Sequence, residues 1–285
     1  MISFISLSSG SNGNCYFIGN EDISILIDVG VGVRTIKKRL SEYNISIELI
    51  DLVLITHDHI DHVKHLGSFA ERYKIPVWTT DKLYQSLLYH PRTKGKLAGC
   101  RKIIVKDGEY NYKGVKITPF EVSHDATDTI GYYIDFLGEK FTLITDVGKI
   151  TDEVISYAKK ANHLILESNY DYEMLVGGSY PKILIDRIRN GRGHLCNNET
   201  ADALKQIYHS NLRTLFLCHL SENNNTPDLA YKAAFDSLSE IGVIIGEDLE
   251  LFCLPRKSSF HYSTGIINQH HGRPCDGIDC EPDVR

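Results

Sequence analysis

Short apolar runs that break off at a polar, ligand-type residue recur along this chain. Leu52-Val53-Leu54-Ile55 stops at Thr56-His57, Phe141-Thr142-Leu143-Ile144 at Thr145-Asp146, and Leu215-Phe216-Leu217-Cys218 at His219. Leu164-Ile165-Leu166 before Glu167, and Ile23 to Ile27 before Asp28, do the same. Runs this short read as buried strands, and their polar ends mark the sheet edge where α/β folds carry their sites. Helical spacing fills the intervals. It predicts helices from Arg34 to about Tyr43, from Lys64 to Tyr73, and from Asp81 to Tyr89 with Asp81 as N-cap. Further helices are expected over Thr151–Ala161, Pro181–Asn190, Glu199–His209 with Asn197 or Asn198 as cap, and Pro227–Ile241 with Thr226 as cap. Pro76 to Trp78 reads as a short strand. Residues 101–122 alternate, carry Gly108 and Gly114, and predict antiparallel strands that run out at Val122-Ser123-His124.

This alternation in both halves predicts an α/β fold of two sheets with helices outside. A chain of 285 residues can bury a substantial core, and residues 1–265 read as one domain. From Ile266 the composition shifts, with His270, His271, Cys275 and Cys280 among polar residues. A metal-holding cluster or a frayed, flexible tail over 266–285 both fit that stretch.

Composition narrows the class. Apolar content of 42% and charged content of 24% are those of a soluble globular protein, with no membrane-length apolar run and no basic leader. Seven cysteines without framework spacing fit a reducing compartment, so a cytoplasmic location is expected. A net charge of −6 gives no global pull toward nucleic acid. Arg92, Lys94, Lys96, Arg101 and Lys102 form one local basic cluster, and Arg187, Arg189 and Arg192 another. Each is either a solvated face or a phosphate contact. The bend Ser8-Ser9-Gly10-Ser11-Asn12-Gly13-Asn14 is either a plain hairpin turn or a loop offering N–H groups to an anion.

The densest chemistry lies in Thr56-His57-Asp58-His59-Ile60-Asp61-His62. Imidazole and carboxylate at this density suit a divalent transition metal. With His124, Asp146 and His219 at other strand ends, seven ligand candidates are present, too many for one ion and enough for two. The expected assignment gives His57, His59 and His124 to one ion and Asp61, His62 and His219 to the other. Asp146 would bridge them, or else serve only as a turn residue. Asp28 would hydrogen-bond a ligand histidine from behind. Such a pair, zinc or manganese, would clamp the oxygens of a phosphodiester and activate water. Asp61 would orient that water or take its proton. His194, on a loop after Arg192-Gly193, would protonate the leaving oxygen, or merely sit exposed. Ser221, Asn223 and Arg192 are candidate substrate contacts.

The heptad written HxHxDH, followed in order by a strand-end His, Asp and His, resembles the signature of the metallo-β-lactamase superfamily. That resemblance implies an αββα sandwich, two sheets face to face with helices outside. Asp rather than Cys at 146 resembles its di-metal hydrolase branch. The opening Ser-Gly-Ser-Asn-Gly-Asn-Cys, Gly193-His194-Leu195-Cys196-Asn197-Asn198-Glu199 and His219-Leu220-Ser221-Glu222-Asn223-Asn224 are similar to the bacterial YycJ/WalJ type. Cys196 departs from the Ser more usual there. The resemblance extends to about residue 265 and implies a metal-dependent 5′–3′ exonuclease acting on DNA, with no membrane and no obligate protein partner. A di-metal hydrolase of a small thioester, ester or lactone is the alternative, because the same ions polarise a carbonyl. A third reading is a non-enzymatic scaffold with a structural ion. The Asp146–His219 interval has no room for an inserted clamping domain, so the core's own rim would have to grip DNA, weakly and salt-sensitively.

Overall fold

The strand ends singled out by the apolar pattern lie along one edge of two stacked sheets in a computed structural model that describes residues 1–265. The first sheet has seven strands in the order β14-β1-β2-β3-β4-β5-β6. They are β1 (Ser3–Ser8), β2 (Cys15–Gly19), β3 (Ser24–Ile27), β4 (Leu52–Leu54), β5 (Val77–Thr79), β6 (Arg101–Ile103) and β14 (Phe260–Ser263). The second runs β13-β12-β11-β10-β9-β8-β7. It comprises β7 (Tyr110–Tyr112), β8 (Val115–Glu121), β9 (Ile130–Phe136), β10 (Glu139–Ile144), β11 (His163–Glu167), β12 (Thr214–Cys218) and β13 (Glu250–Cys253). Within each sheet the site-bearing strands are parallel: β3 to β6 in one, β10 to β13 in the other. Parallel neighbours put all their carboxyl ends on the same edge.

Alternation along the strands sorts the core into layers. Phe141, Leu143, Ile165 and Phe216 face the first sheet, with Phe4 packed 4.7 Å from Phe216, ring to ring. Ile144, Leu164, Leu166, Leu215 and Leu217 face the other way, under α5 (Asp152–Ala158), α8 (Asn197–Ile207) and α9 (Pro227–Glu240). The first sheet is covered by α1 (Val33–Ser41), α3 (Leu66–Tyr73) and α4 (Asp81–Tyr89) through Ile36, Leu40, Phe69, Leu83 and Leu87. The architecture is the expected αββα sandwich. Among the described residues no helix is long and apolar enough to cross a membrane.

Several local expectations are corrected. Thr80, not Asp81, caps α4, its hydroxyl accepting from Leu83 N–H. Neither Asn197 nor Asn198 caps α8. Cys196 does, its Sγ accepting from Glu199 N–H while the Glu199 carboxylate accepts from Cys196 N–H. Residues 101–122 are not one antiparallel set: β6 pairs parallel with β5, and the chain then crosses to the second sheet for β7 and β8. The first loop carries a four-residue helix, α2 (Ile60–Val63), and the second half adds α6 (Tyr172–Gly177) before α7 (Lys182–Arg189). Thr226 caps α9 as expected. The stretch 266–285, with its His/Cys cluster or flexible tail, lies outside the described residues.

Candidate metal centre

Distant chain segments converge at the shared edge, and three of them leave their strands by the same device. Asp28 after β3, Asp146 after β10 and His219 after β12 adopt φ of 60°, 51° and 53°. A left-handed residue with a Cβ costs on the order of 1 kcal/mol, least for Asp, Asn and His. It turns the chain sharply, so the side chain enters the space between the sheets. Gly30 serves the same end. A Cβ there would lie 1.7 Å from the Asp61 carbonyl oxygen, so only glycine lets the HxHxDH loop pass over the first sheet.

The seven predicted ligands come together. His57, His59 and His124 present nitrogens within 4.8 Å of one another, and so do the ligand atoms of Asp61, His62, Asp146 and His219. Asp146 lies between the groups: Oδ2 is 3.0 Å from His62 Nε2, while Oδ1 is 3.8 Å from His124 Nε2 and 3.9 Å from His57 Nε2. Asp146 is thus within reach of both groups.

The partners behind the histidines settle which nitrogen faces inward. His124 Nδ1 donates to the Gly193 carbonyl at 2.6 Å, leaving Nε2 as an acceptor 3.1 Å from His59 Nδ1. His62 Nδ1 donates to Asp28 Oδ2 at 2.7 Å, the supporting role expected of Asp28. Asp28 also accepts from Thr56 N–H at 2.9 Å and from its hydroxyl at 2.7 Å. His219 Nδ1 is 2.9 Å from Glu167 Oε1, and its Nε2 faces Asp61.

Glu167 was missed as a site residue, although its strand-end position was visible in the sequence. It is fully buried. Oε1 accepts from His219 and, at 2.8 Å, from His194 Nδ1, while Oε2 accepts from Val147 and Leu195 N–H at 3.1 Å each. Asn14 was missed too, and nothing in the Gly-rich bend marks it. Its amide contacts Asp61 Oδ2 at 3.1 Å and His62 Nε2 at 2.9 Å. The bend itself joins the antiparallel β1 and β2.

Acidic groups dominate the floor of this pocket. Asp28, Asp61, Asp146 and Glu167 crowd the sheet edge, and among the described residues none is paired with Lys or Arg. Burial alone would lower the basicity of His62, His194 and His219, but the carboxylates beside them override it and raise all three. His57 goes the other way: burial, reinforced by His62, holds it well below the usual imidazole value. Against the burial that would raise them, neighbouring histidines keep Asp61 and Asp146 well below the carboxylate range. Meanwhile His57 Nε2 and His219 Nε2 are buried without a hydrogen-bond partner among the described residues. Orphaned imidazole nitrogens aimed at unpaired carboxylates are what a divalent cation satisfies. The residues fit such an ion.

A cleft of about 290 Å³ opens over the centre, lined on its floor by His59, Asp61, Asp146, His194 and His219. Ser221 reaches this cleft, though its hydroxyl accepts from Asn224 N–H at 3.2 Å as a turn residue does. Asn223 stands at the rim, donating to Tyr180 Oη at 3.1 Å. Arg192 lines a separate groove beside Lys149, and Arg187 is the arginine of that cluster that lines the cleft.

Comparison with known proteins agrees with this geometry. The family described as the β-lactamase superfamily domain matches residues 24–220. The chain is 32% identical over 251 residues to exodeoxyribonuclease YycJ of Bacillus anthracis, covering 88% of this chain and 94% of that protein. It is 31% identical over 247 residues to exodeoxyribonuclease WalJ of Streptococcus pneumoniae, covering 86% and 91%. Among solved structures, the metallo-β-lactamase-fold protein YhfI of Bacillus subtilis superposes with a TM-score of 0.68 at 19% identity, over 92% of this chain and 100% of that one. Zinc-bound PqqB of Methylobacterium extorquens gives 0.67 at 14% identity, with the same coverage. These two likenesses concern the fold.

Proposed function

The chain belongs to the β-lactamase superfamily, and from that premise we propose that it is a metal-dependent DNA exonuclease working in the 5′–3′ direction with two divalent ions, zinc or manganese. The observation that carries this reading is the place of Asp146, within reach of both ligand groups. His57, His59 and His124 would hold one ion, Asp61, His62 and His219 the other, and Asp146 both. Bound there, the ions would supply positive charge for phosphodiester oxygens and acidify a water.

The chain's own residues do the rest. Asp61, ionised and steadied by Asn14, orients the attacking water or takes its proton. His194 gives its Nδ1 hydrogen to Glu167, so its Nε2 is left for the substrate. Glu167 also raises the ring's basicity against the pull of burial, which equips His194 to pass a proton to the departing oxygen. Ser221 contributes from the cleft wall. The exodeoxyribonuclease activity of the sequence relatives supports DNA over a small thioester, ester or lactone as substrate. It also supports a cytoplasmic workplace.

The test is digestion of DNA labelled separately at its 5′ and 3′ ends by metal-reconstituted protein, beside a thioester control. Stepwise loss from the 5′ end, weakening between low and moderate salt, is expected. Thioester turnover without DNA degradation would sink the reading.

A further inference from the structure

The wall of the cleft opposite the histidines is unlike the rest of the site. It is built by the segment 170–196, whose apolar side chains form a small cluster of their own: Tyr170, Leu175 and Cys196 buried, with Tyr180, Ile185 and Ile188 packed against them. Helix α7 buries no residue fully. Toward the cleft this segment presents Tyr180, Leu184 and Ile188, with Arg187 among them. Tyr180 is half-buried and its hydroxyl is pinned by Asn223 from the loop after His219. Arg187 is held at the cleft: its Nε donates to Asp125 Oδ2 at 2.5 Å, and among the described residues its terminal nitrogens have no partner. Asp125 in turn lies 3.6 Å from His59 Nε2 and 3.4 Å from His124 Nε2. Apolar side chains, an aromatic ring tethered at its hydroxyl and an oriented guanidinium therefore line the cleft over the candidate metal centre together.

We infer that this wall is the subsite for one terminal nucleotide, whose base lies on Tyr180, Leu184 and Ile188 while Arg187 takes an adjoining phosphate. This rests on the nuclease reading and says what that nuclease admits. Size argues for it. A space of about 290 Å³ is near the lower end of pockets that hold one small molecule, well short of a base-paired end. A paired end cannot enter intact. The last nucleotide must leave its partner, and the apolar wall offsets the lost stacking because an aromatic ring accepts any base. Arg187 suits the phosphate because its planar fork can meet two oxygens while Asp125 keeps it aimed.

The experiment measures degradation of duplexes whose terminal nucleotide is either intact or abasic, by wild type, Tyr180→Ala, Tyr180→Phe and Arg187→Ala. Melting curves first verify that each variant is folded, which the exposure of α7 favours. Binding of the same fluorescent duplexes is followed by anisotropy in EDTA, where nothing is cleaved. Removing the terminal base should cost the wild type about tenfold in kcat/KM, and Tyr180→Ala should cost about tenfold on the intact end. The two losses should not multiply, because they remove the same contact. Tyr180→Phe should stay within about threefold of wild type. Arg187→Ala should weaken binding in EDTA and flatten its salt dependence by about one counterion. Losses that multiply to about a hundredfold, or a Tyr180→Ala enzyme indistinguishable from wild type on intact ends, would overturn the subsite alone. A wild type that degrades no DNA would overturn the nuclease and the subsite together.

Discussion

Replacing Glu167 by Gln isolates one oxygen's worth of chemistry at the point where four donors meet. In the wild type both carboxylate oxygens are filled, Oε1 by two imidazole N–H groups and Oε2 by the N–H groups of Val147 and Leu195. A glutamine must put its NH2 on one pair or the other. If it faces the backbone pair, two buried N–H groups lose their acceptor, at about 1–3 kcal/mol each. If it faces the histidines, both rings must move their proton to Nε2, the nitrogen that in His219 faces Asp61. The first route puts about 2–6 kcal/mol of stability at stake, and the second blocks the inward-facing nitrogen. Loss of such a supporting partner typically weakens metal affinity 10- to 100-fold. Two assays read this out: a chelator competition for each metal equivalent, and thermal unfolding of the metal-free and reloaded protein. The expected result is a normal first equivalent on His57, His59 and His124 with a weakened second. A Glu167→Gln protein that retains both equivalents within twofold of wild type would refute the tautomer argument.

Other consequences can be checked independently. Asp146→Ala should abolish metal-dependent turnover and leave less than one tightly held equivalent, as elemental analysis after reloading would reveal. Gly30→Ala sets a methyl group 1.7 Å from the Asp61 carbonyl, a backbone atom that cannot swing aside. It should lower the unfolding free energy by about 2–3 kcal/mol or more and cost metal binding as well, in urea titrations and metal assays. Cys196→Ala should cost about 1 kcal/mol through loss of the α8 cap, while Cys196→Ser should be nearly neutral in the same titration. Burial pushes the Cys196 thiol up to about 11, so alkylation in the folded state should be slow. At the opposite end of the sandwich, burial lowers His163 to about 4, although Glu139 pulls the other way. A histidine neutral when folded and ordinary when unfolded stabilises above pH ~6.5 and loses that contribution as the pH falls toward 4. About 2 kcal/mol should vanish by pH 5, and urea midpoints of His163→Gln should fall less steeply over that window than those of wild type.

How much of this was legible beforehand depended on whether the signal was local. The candidate ligands His57, His59, Asp61 and His62 stand in one loop, and His124, Asp146 and His219 each follow an apolar run, so pattern and chemistry coincide. Glu167 follows such a run too. It did not stand out because its role lies in accepting bonds from residues distant along the chain, and no spacing encodes that. Asn14 is invisible for the same reason. The crossing between β6 and β7 was hidden because alternation reports that a strand is half-buried, not which sheet it joins. At α8, asparagine's general preference for N-caps pointed one or two residues too late, and a cysteine with Glu three positions on does the capping instead. Arg192 was chosen for its nearness to His194 in sequence. The turn at Gly193, whose Cβ would meet the Ile188 carbonyl oxygen at 2.2 Å, folds the chain back so tightly that Arg192 and His194 line different grooves.

The charge balance explains why this arrangement survives folding without being a liability. Four carboxylates brought together between sheets would repel by several kcal/mol each if left bare, since an unpaired buried charge is far costlier than a paired one. Two counter-charges are open to them. Protons on His62, His194 and His219 serve when no cation is bound, which is why the carboxylates raise those three rings against the pull of burial. Divalent cations serve better, because they also satisfy the bare nitrogens of His57 and His219. Loading the site is therefore an exchange of protons for metal rather than the filling of an empty space. The left-handed turns at Asp28, Asp146 and His219 are tolerable on the same account: Asp28 is held by Thr56, the residue after Asp146 by Glu167, and His219 N–H by Ser9 Oγ at 2.9 Å. Those bonds involve no ligand nitrogen, so the backbone of the centre is set by the fold and metal has little left to rearrange.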